Sequence, residues 1–151
     1  MGWWRSLRGV DVSSAFLRGK PREAEEPLFF EPPSRGLPGI EKGASIEIVH
    51  GVFGLPDSLR GWWKELRVTL QGDSWKFLKL DPAFFCLRDC SGHLIGMTIV
   101  HVDDMLLATN NSHPAESHIC RFLSKYDIKD VKKADDDGGV LYCEFGLSRT
   151  T

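Results

Sequence analysis

Several things are scarce in this chain. No apolar run approaches the roughly 20 residues that a membrane-spanning helix needs, and Met1–Gly2–Trp3–Trp4–Arg5 has no apolar middle of the kind a secretory leader carries. The expected setting is therefore intracellular, cytoplasmic or nuclear, and not secreted. No large charge excess exists either: the formal net charge is −2. Bulk electrostatic attraction to nucleic acid is thereby excluded, so any such binding has to use local patches. The 4 cysteines, Cys86, Cys90, Cys120 and Cys143, form no CxxC pair and have no histidine companion at zinc-finger spacing, and they read as free, buried thiols. There is no internal repeat. Gly2 with Ser6 fits a short acylation pattern and Asn110–Asn111–Ser112 a glycosylation pattern, but matches of this length are common by chance.

What is present concentrates between Met97 and Thr109. Asp103 and Asp104 stand between the apolar runs Met97–Val100 and Met105–Ala108, a pattern that predicts a tight β-hairpin with acids at its tip. Local turn chemistry accounts for one aspartate easily. Two in succession repel each other, and a hard divalent cation such as Mg²⁺ or Mn²⁺, bound through oxygen, would relieve them. A further carboxylate from elsewhere in the chain is then expected.

The remaining pattern predicts one domain over residues 1–151, since 151 residues with 42% hydrophobic and 26% charged content suit a single packed core. Arg8–Val12 reads as the end of a strand, which leaves Asp11 at a carboxyl end, where sites gather in sheet proteins. A short helix over 13–17 follows, stopped by Gly19 and Pro21. Residues 20–42 are rich in Pro, Gly and charge, with an edge strand at Leu28–Phe30, and a second strand is predicted at Ile46–Val49. Gly51 and Gly54 imply a close backbone approach. Leu59, Trp62, Trp63, Leu66 and Leu70 recur at helical spacing, with Arg60, Lys64 and Arg67 on another face. That basic stripe reads first as the solvated face of the helix and second as a contact for template phosphates. Strands are predicted around Trp75–Leu80 and Ala83–Leu87, then a turn at Asp89–Gly92, a helix from Pro114 to Tyr126 capped by Ser112, and a last strand at Val140–Phe145. The fold class is α+β, with helices on one face of a mainly antiparallel sheet.

Five blocks then carry a resemblance: Asp11–Val12–Ser13–Ser14–Ala15–Phe16–Leu17–Arg18–Gly19, Phe30–Glu31–Pro32–Pro33, Val52–Phe53–Gly54–Leu55 with Arg60 and Trp62, Asp81–Pro82–Ala83–Phe84–Phe85, and Val102–Asp103–Asp104–Met105–Leu106. In order and spacing they resemble the successive motifs of the reverse transcriptase of Ty1/copia-type retrotransposons. The resemblance implies a polymerase palm-like sheet with partial fingers and no thumb. It implies an RNA-directed DNA polymerase from a Pol polyprotein that uses two Mg²⁺ or Mn²⁺ ions, held by Asp11, Asp103 and Asp104. The partners it implies are an RNA or DNA template-primer, deoxynucleoside triphosphates and the remaining Pol regions, with no membrane. Val12, Phe16, Gly54, Asp57 and Arg60 fall at nucleotide- or template-binding positions. Phe16 would lie under the sugar and disfavour a 2′-hydroxyl, although an ordinary core phenylalanine is an equally open reading.

Three positions depart from the family pattern, which has Tyr at His101, Gln at Asp57 and Pro at Leu59. Asp57 matters most, because a carboxylate there repels a triphosphate. Two functional classes stay open: a polymerase fragment, and a transposon-derived remnant without catalysis that binds nucleic acid weakly at most. A metal-dependent nuclease is a third, for which no acid–base cluster is evident.

Overall fold

A computed structural model describes residues 3–22 and 26–147; the acylation pattern at Gly2 lies outside them. In chain order the elements are a 3-10 turn (Trp3–Ser6), β1 (Arg8–Val12), a second 3-10 turn (Ala15–Arg18), β2 (Phe29–Phe30), β3 (Ile46–Glu47), α1 (Pro56–Gly72), β4 (Lys76–Phe77), β5 (Phe84–Arg88), β6 (Leu94–His101), β7 (Asp104–Thr109), α2 (His113–Leu123), β8 (Ile128–Lys133), β9 (Val140–Tyr142) and β10 (Phe145–Leu147). They fall into two compact units. One runs up to Ala15 and resumes at Leu66, and the other is Phe16–Glu65. The composition is α+β, as the sequence pattern implies.

The first unit is built on a six-stranded sheet in the order β4-β5-β6-β7-β1-β8, with every neighbouring pair antiparallel. Side chains alternate across it. Val10, Met105, Leu107, Thr98, Val100, Phe85 and Leu87 are buried and, by register, share one face. The helices cover that face. Arg8 lies on it and donates to Glu116 of α2 at 2.6 Å, and a side chain at Gly96, also on it, would meet the Trp75 ring at 3.0 Å. Ala115, Ile119 and Phe122 of α2 and Leu66, Leu70 and Trp75 around the end of α1 supply the buried apolar surface. Each large side chain so buried contributes about 1.5–3 kcal/mol before the entropy of ordering it. Asp73, just beyond α1, receives hydrogen bonds from His118 and Arg121 and so fixes α2 to that helix end.

The opposite face carries Gly9, Asp11 and Asp104, and the β9–β10 hairpin lies against it. A Cβ on Gly9 would stand 2.6 Å from the Leu141 carbonyl oxygen and 2.8 Å from Val140 Cγ1, so only glycine lets the hairpin come this close.

In the second unit, β2 and β3 pair antiparallel and α1 begins. The helix buries Ser58, Trp62, Leu66 and Leu70 at intervals of four residues; Trp62, Leu66 and Leu70 belong to the stripe its sequence spacing predicts, whereas Leu59, also expected there, is 50% exposed and Ser58 takes the buried place beside it. The two glycines before it do different jobs. A Cβ on Gly51 would meet the Ser58 hydroxyl at 2.9 Å, a true close approach, whereas Gly54 has open space around it but a φ of +93°, which L side chains rarely adopt.

Some elements differ from their expected form. Val140–Phe145 is not one strand, because Cys143 and Glu144 take left-handed φ values of 48° and 67° and reverse the chain as a two-residue turn. β8 has no counterpart in the sequence pattern, and the four cysteines are free but not buried: Cys86 and Cys143 are half-buried, Cys90 and Cys120 exposed. Ser112 sits at the N-cap of α2 in extended conformation, yet its hydroxyl makes no capping bond. The start of that helix rests instead on Pro114 in its first turn and on Glu116 near the positive helix end.

Candidate active site

β6 and β7 form a hairpin in which His101 pairs with Asp104 and the two residues between them make the turn. Val102 occupies the first turn position with a φ of 57°. Turns that place a positive φ there favour glycine, and a β-branched residue is strained in that region. The closing pair His101–Asp104 leaves Asp103 at the tip and makes Asp104 the first residue of β7.

β1 runs beside β7 in a register that sets Asp11 directly opposite Asp104, on the same sheet face. Asp103 is tied in through its backbone, as the Val12 N–H donates to the Asp103 carbonyl at 3.1 Å. The fold thus brings the strand-end acid and the hairpin acids to one sheet end. It is Asp104, rather than Asp103, that stands in register with Asp11.

Protein groups already engage these carboxylates. On the far side of β1, the register with β8 shifts between Asp11 and Val12, leaving Lys129 without a cross-strand partner. Such a bulge re-aims a side chain. The Lys129 ammonium donates to Asp11 Oδ2 at 3.0 Å. From the β9–β10 turn, the Cys143 N–H donates to Asp104 Oδ2 at 3.2 Å.

The electrostatics follow from this crowding. Burial pushes the Asp104 carboxyl above its ordinary value, and Asp103 and Asp11 add to the rise against the opposing Cys143 N–H. The hydrogen bond to Asp11 holds the Lys129 ammonium more firmly protonated, with further attraction from Asp103 and Asp104. Tyr142, beside the same turn, is pushed up to about 12, first by burial and then by Cys143, Asp104 and Asp81. Burial also raises the Cys143 thiol. Tyr142 and Cys143 therefore stay protonated at neutral pH and supply no nucleophile.

The other residues singled out by the sequence are distributed as follows. Val12 is buried, so it acts on the site only through its backbone. Phe16, Gly54, Asp57 and Arg60 belong to the second unit. The Phe16 ring packs edge-on against Phe53, with centroids 6.1 Å apart, and Phe53 itself is 90% exposed. Arg60 is exposed on α1. Asp57, in the first turn of that helix, is not bare: Arg22 donates to its Oδ2 at 3.0 Å and lowers its pKa. Sequence reasoning missed Lys129, Cys143 and Arg22. Each acts across a long sequence interval, and no local pattern marks it.

Residues 4–142 match the family described as reverse transcriptase (RNA-dependent DNA polymerase), and with nearly the whole length matched the chain belongs to that family. No curated protein and no solved structure shows a significant match. Membership implies a nucleic-acid template and deoxynucleoside triphosphates as ligands, and the family uses divalent metal ions. No helix among the described residues is long and apolar enough to cross a membrane. Among those residues no group of three His, Cys, Asp or Glu side chains is arranged to hold a metal ion. The donor chemistry nonetheless suits one: Asp11, Asp103 and Asp104 offer hard oxygens at one sheet end, and a cationic group, the Lys129 ammonium, already sits on Asp11.

Proposed function

We propose that this chain is the palm, with part of the fingers, of a Ty1/copia-type reverse transcriptase from a Pol polyprotein. Its activity is RNA-directed DNA synthesis by two-metal nucleotidyl transfer, with Asp11, Asp103 and Asp104 as metal ligands. The observation that carries the reading is the direct opposition of Asp11 and Asp104, with Asp103 bonded through its carbonyl to the residue after Asp11. Two carboxylates set face to face across a β ladder repel each other, and a shared cation would relieve them.

When bound, two Mg²⁺ or Mn²⁺ ions supply Lewis-acid activation of a primer 3′-hydroxyl and charge neutralisation on a triphosphate. The chain's own residues supply the frame. The antiparallel ladder of β1, β6 and β7 holds the three carboxylates at a rigid sheet end, where positioning costs nothing at the moment of reaction. Phe16 offers a flat ring against a deoxyribose, Gly54 lets the backbone turn tightly before α1, and Arg60 offers an exposed cation to a template phosphate. Asp57, the position where the family carries an amide, has its charge balanced by Arg22, which reduces the repulsion of a triphosphate.

A second reading, a remnant that binds nucleic acid weakly without polymerising, draws support from the occupied state of the acids, since Lys129 and the Cys143 N–H hold oxygens a metal needs. Primer extension on an RNA template with Mn²⁺ separates the two. Extension by the native chain that is lost in Asp103→Asn supports the polymerase. Weak template binding with no incorporated nucleotide, unchanged when the chain is joined to complete fingers and thumb, selects the remnant.

A further inference from the structure

Lys129 is placed by backbone geometry, not by chance contact. The β-bulge opposite Asp11 and Val12 takes Lys129 out of the strand pairing, and its ammonium lands on Asp11 Oδ2 at 3.0 Å. Asp103 and Asp104 attract the same charge. The side chain is 72% exposed, so it is free to swing into water when displaced, while the Asp11 side chain is only 31% exposed. Asp130, the next residue, is engaged by Lys132 at 3.5 Å and does not compete for Lys129.

We propose that Lys129 is an internal counter-ion that holds the acid group in its metal-free form and that a divalent cation must displace from Asp11. This rests on the reading of Asp11, Asp103 and Asp104 as metal ligands. One ammonium offsets a single charge among three carboxylates, and its bond to Asp11 is directional. A divalent ion brings twice the charge and draws on several oxygens at once, so it wins when concentrated enough. The oxygen of Asp11 that faces the ammonium is unavailable to the metal until Lys129 leaves. Lys129 thereby raises the cation concentration needed for occupancy and stabilises the site while it waits.

The test is a Mn²⁺ titration of the intact chain, followed by loss of the free-ion paramagnetic resonance signal and by thermal shift, without any activity readout. Four variants are compared with the native chain: Lys129→Met, Lys129→Gln, Lys129→Arg and Asp11→Asn. Removing the charge should lower the half-saturating Mn²⁺ concentration by about threefold to fivefold, the scale expected for one partly screened charge near the ion. Lys129→Arg should stay near the native value, and Asp11→Asn should lose the response. Lys129→Gln keeps a polar side chain and guards against a folding failure of Lys129→Met. Equal half-saturation in native, Met and Gln forms, with the response still lost in Asp11→Asn, overturns the counter-ion and leaves the metal site standing. No Mn²⁺ response in the native, Met and Gln forms overturns both.

Discussion

Replacing Asp104 by Asn removes one of two like charges that the sheet places face to face, and the size of the effect can be worked out from the register. Asp11 and Asp104 are direct cross-strand partners. Like charges in that position cost about 0.2–1 kcal/mol, and the Lys129 ammonium on Asp11 offsets part of it, so the metal-free protein should gain about 0.5 kcal/mol. Asparagine keeps an oxygen that can accept the Cys143 N–H, so the hydrogen bond at 3.2 Å need not be lost with the charge. For a chain of this length the gain corresponds to about 1–2 °C in Tm and a few tenths molar in the urea midpoint.

The pH dependence gives the sharper test. Burial, helped by Asp103 and Asp11, raises the Asp104 pKa above its ordinary value of 3.8, so the folded state holds that proton more tightly than the unfolded chain does. A carboxyl raised in this way contributes stability below pH 3.8 that is lost as pH climbs through the raised folded value. Asp104→Asn has no such titration. Urea unfolding in chelator-treated buffer should therefore show the native and variant proteins nearly equal at low pH, with the variant pulling ahead across that window and staying ahead to pH 7. A variant less stable than the native chain at pH 7, or a gap that does not change with pH, would refute the reasoning and make Asp104 a structural anchor for the β9–β10 hairpin.

Two further predictions concern the backbone around the site. Gly9→Ala drives a Cβ to 2.6 Å from the Leu141 carbonyl, a backbone atom that cannot move without its strand, so it should cost about 1–3 kcal/mol and raise amide exchange in β9 selectively. Val102→Gly relieves a β-branched residue at a φ of 57°, a strain of about 1–3 kcal/mol, against about 0.5–1 kcal/mol of added chain entropy; a net gain of about 1 kcal/mol should appear in urea unfolding, and a loss would show that the Val102 side chain packs favourably in the turn.

The legible parts of the fold were those whose signal is local. β6 and β7 announce themselves through apolar runs on either side of two acids, and α1 through Trp62, Leu66 and Leu70 at four-residue spacing. β8 did not, because it is an edge strand in which Lys129, Asp130, Lys132 and Lys133 take four of the six positions; charge on an edge discourages unwanted pairing and also erases the strand pattern. The β9–β10 hairpin was hidden for a related reason, since Cys143 and Glu144 are not the turn formers that mark such a reversal. Asp11, Asp103 and Asp104 stood out as charges next to apolar strand sequence. Their protein partners did not, since a lysine on a bulge, a backbone N–H from another hairpin and an arginine in a Pro- and Gly-rich loop have no sequence signature until the fold juxtaposes them.

Those partners bear on function through thermodynamic reciprocity. A group of carboxylates built to hold cations is a liability to the fold in their absence, and here Lys129 and the Cys143 N–H relieve it, much as Arg22 relieves Asp57 in the second unit. The Lys129 contact, which a metal must displace, stabilises the metal-free form alone, so it must weaken metal binding by the same free energy, because the two processes close one cycle. Across a series of Lys129 substitutions, stability without metal and affinity for metal should then vary in opposite directions and by equal amounts. A substitution that weakened both together would mean that Lys129 supports the geometry of the acids, and not only their charge.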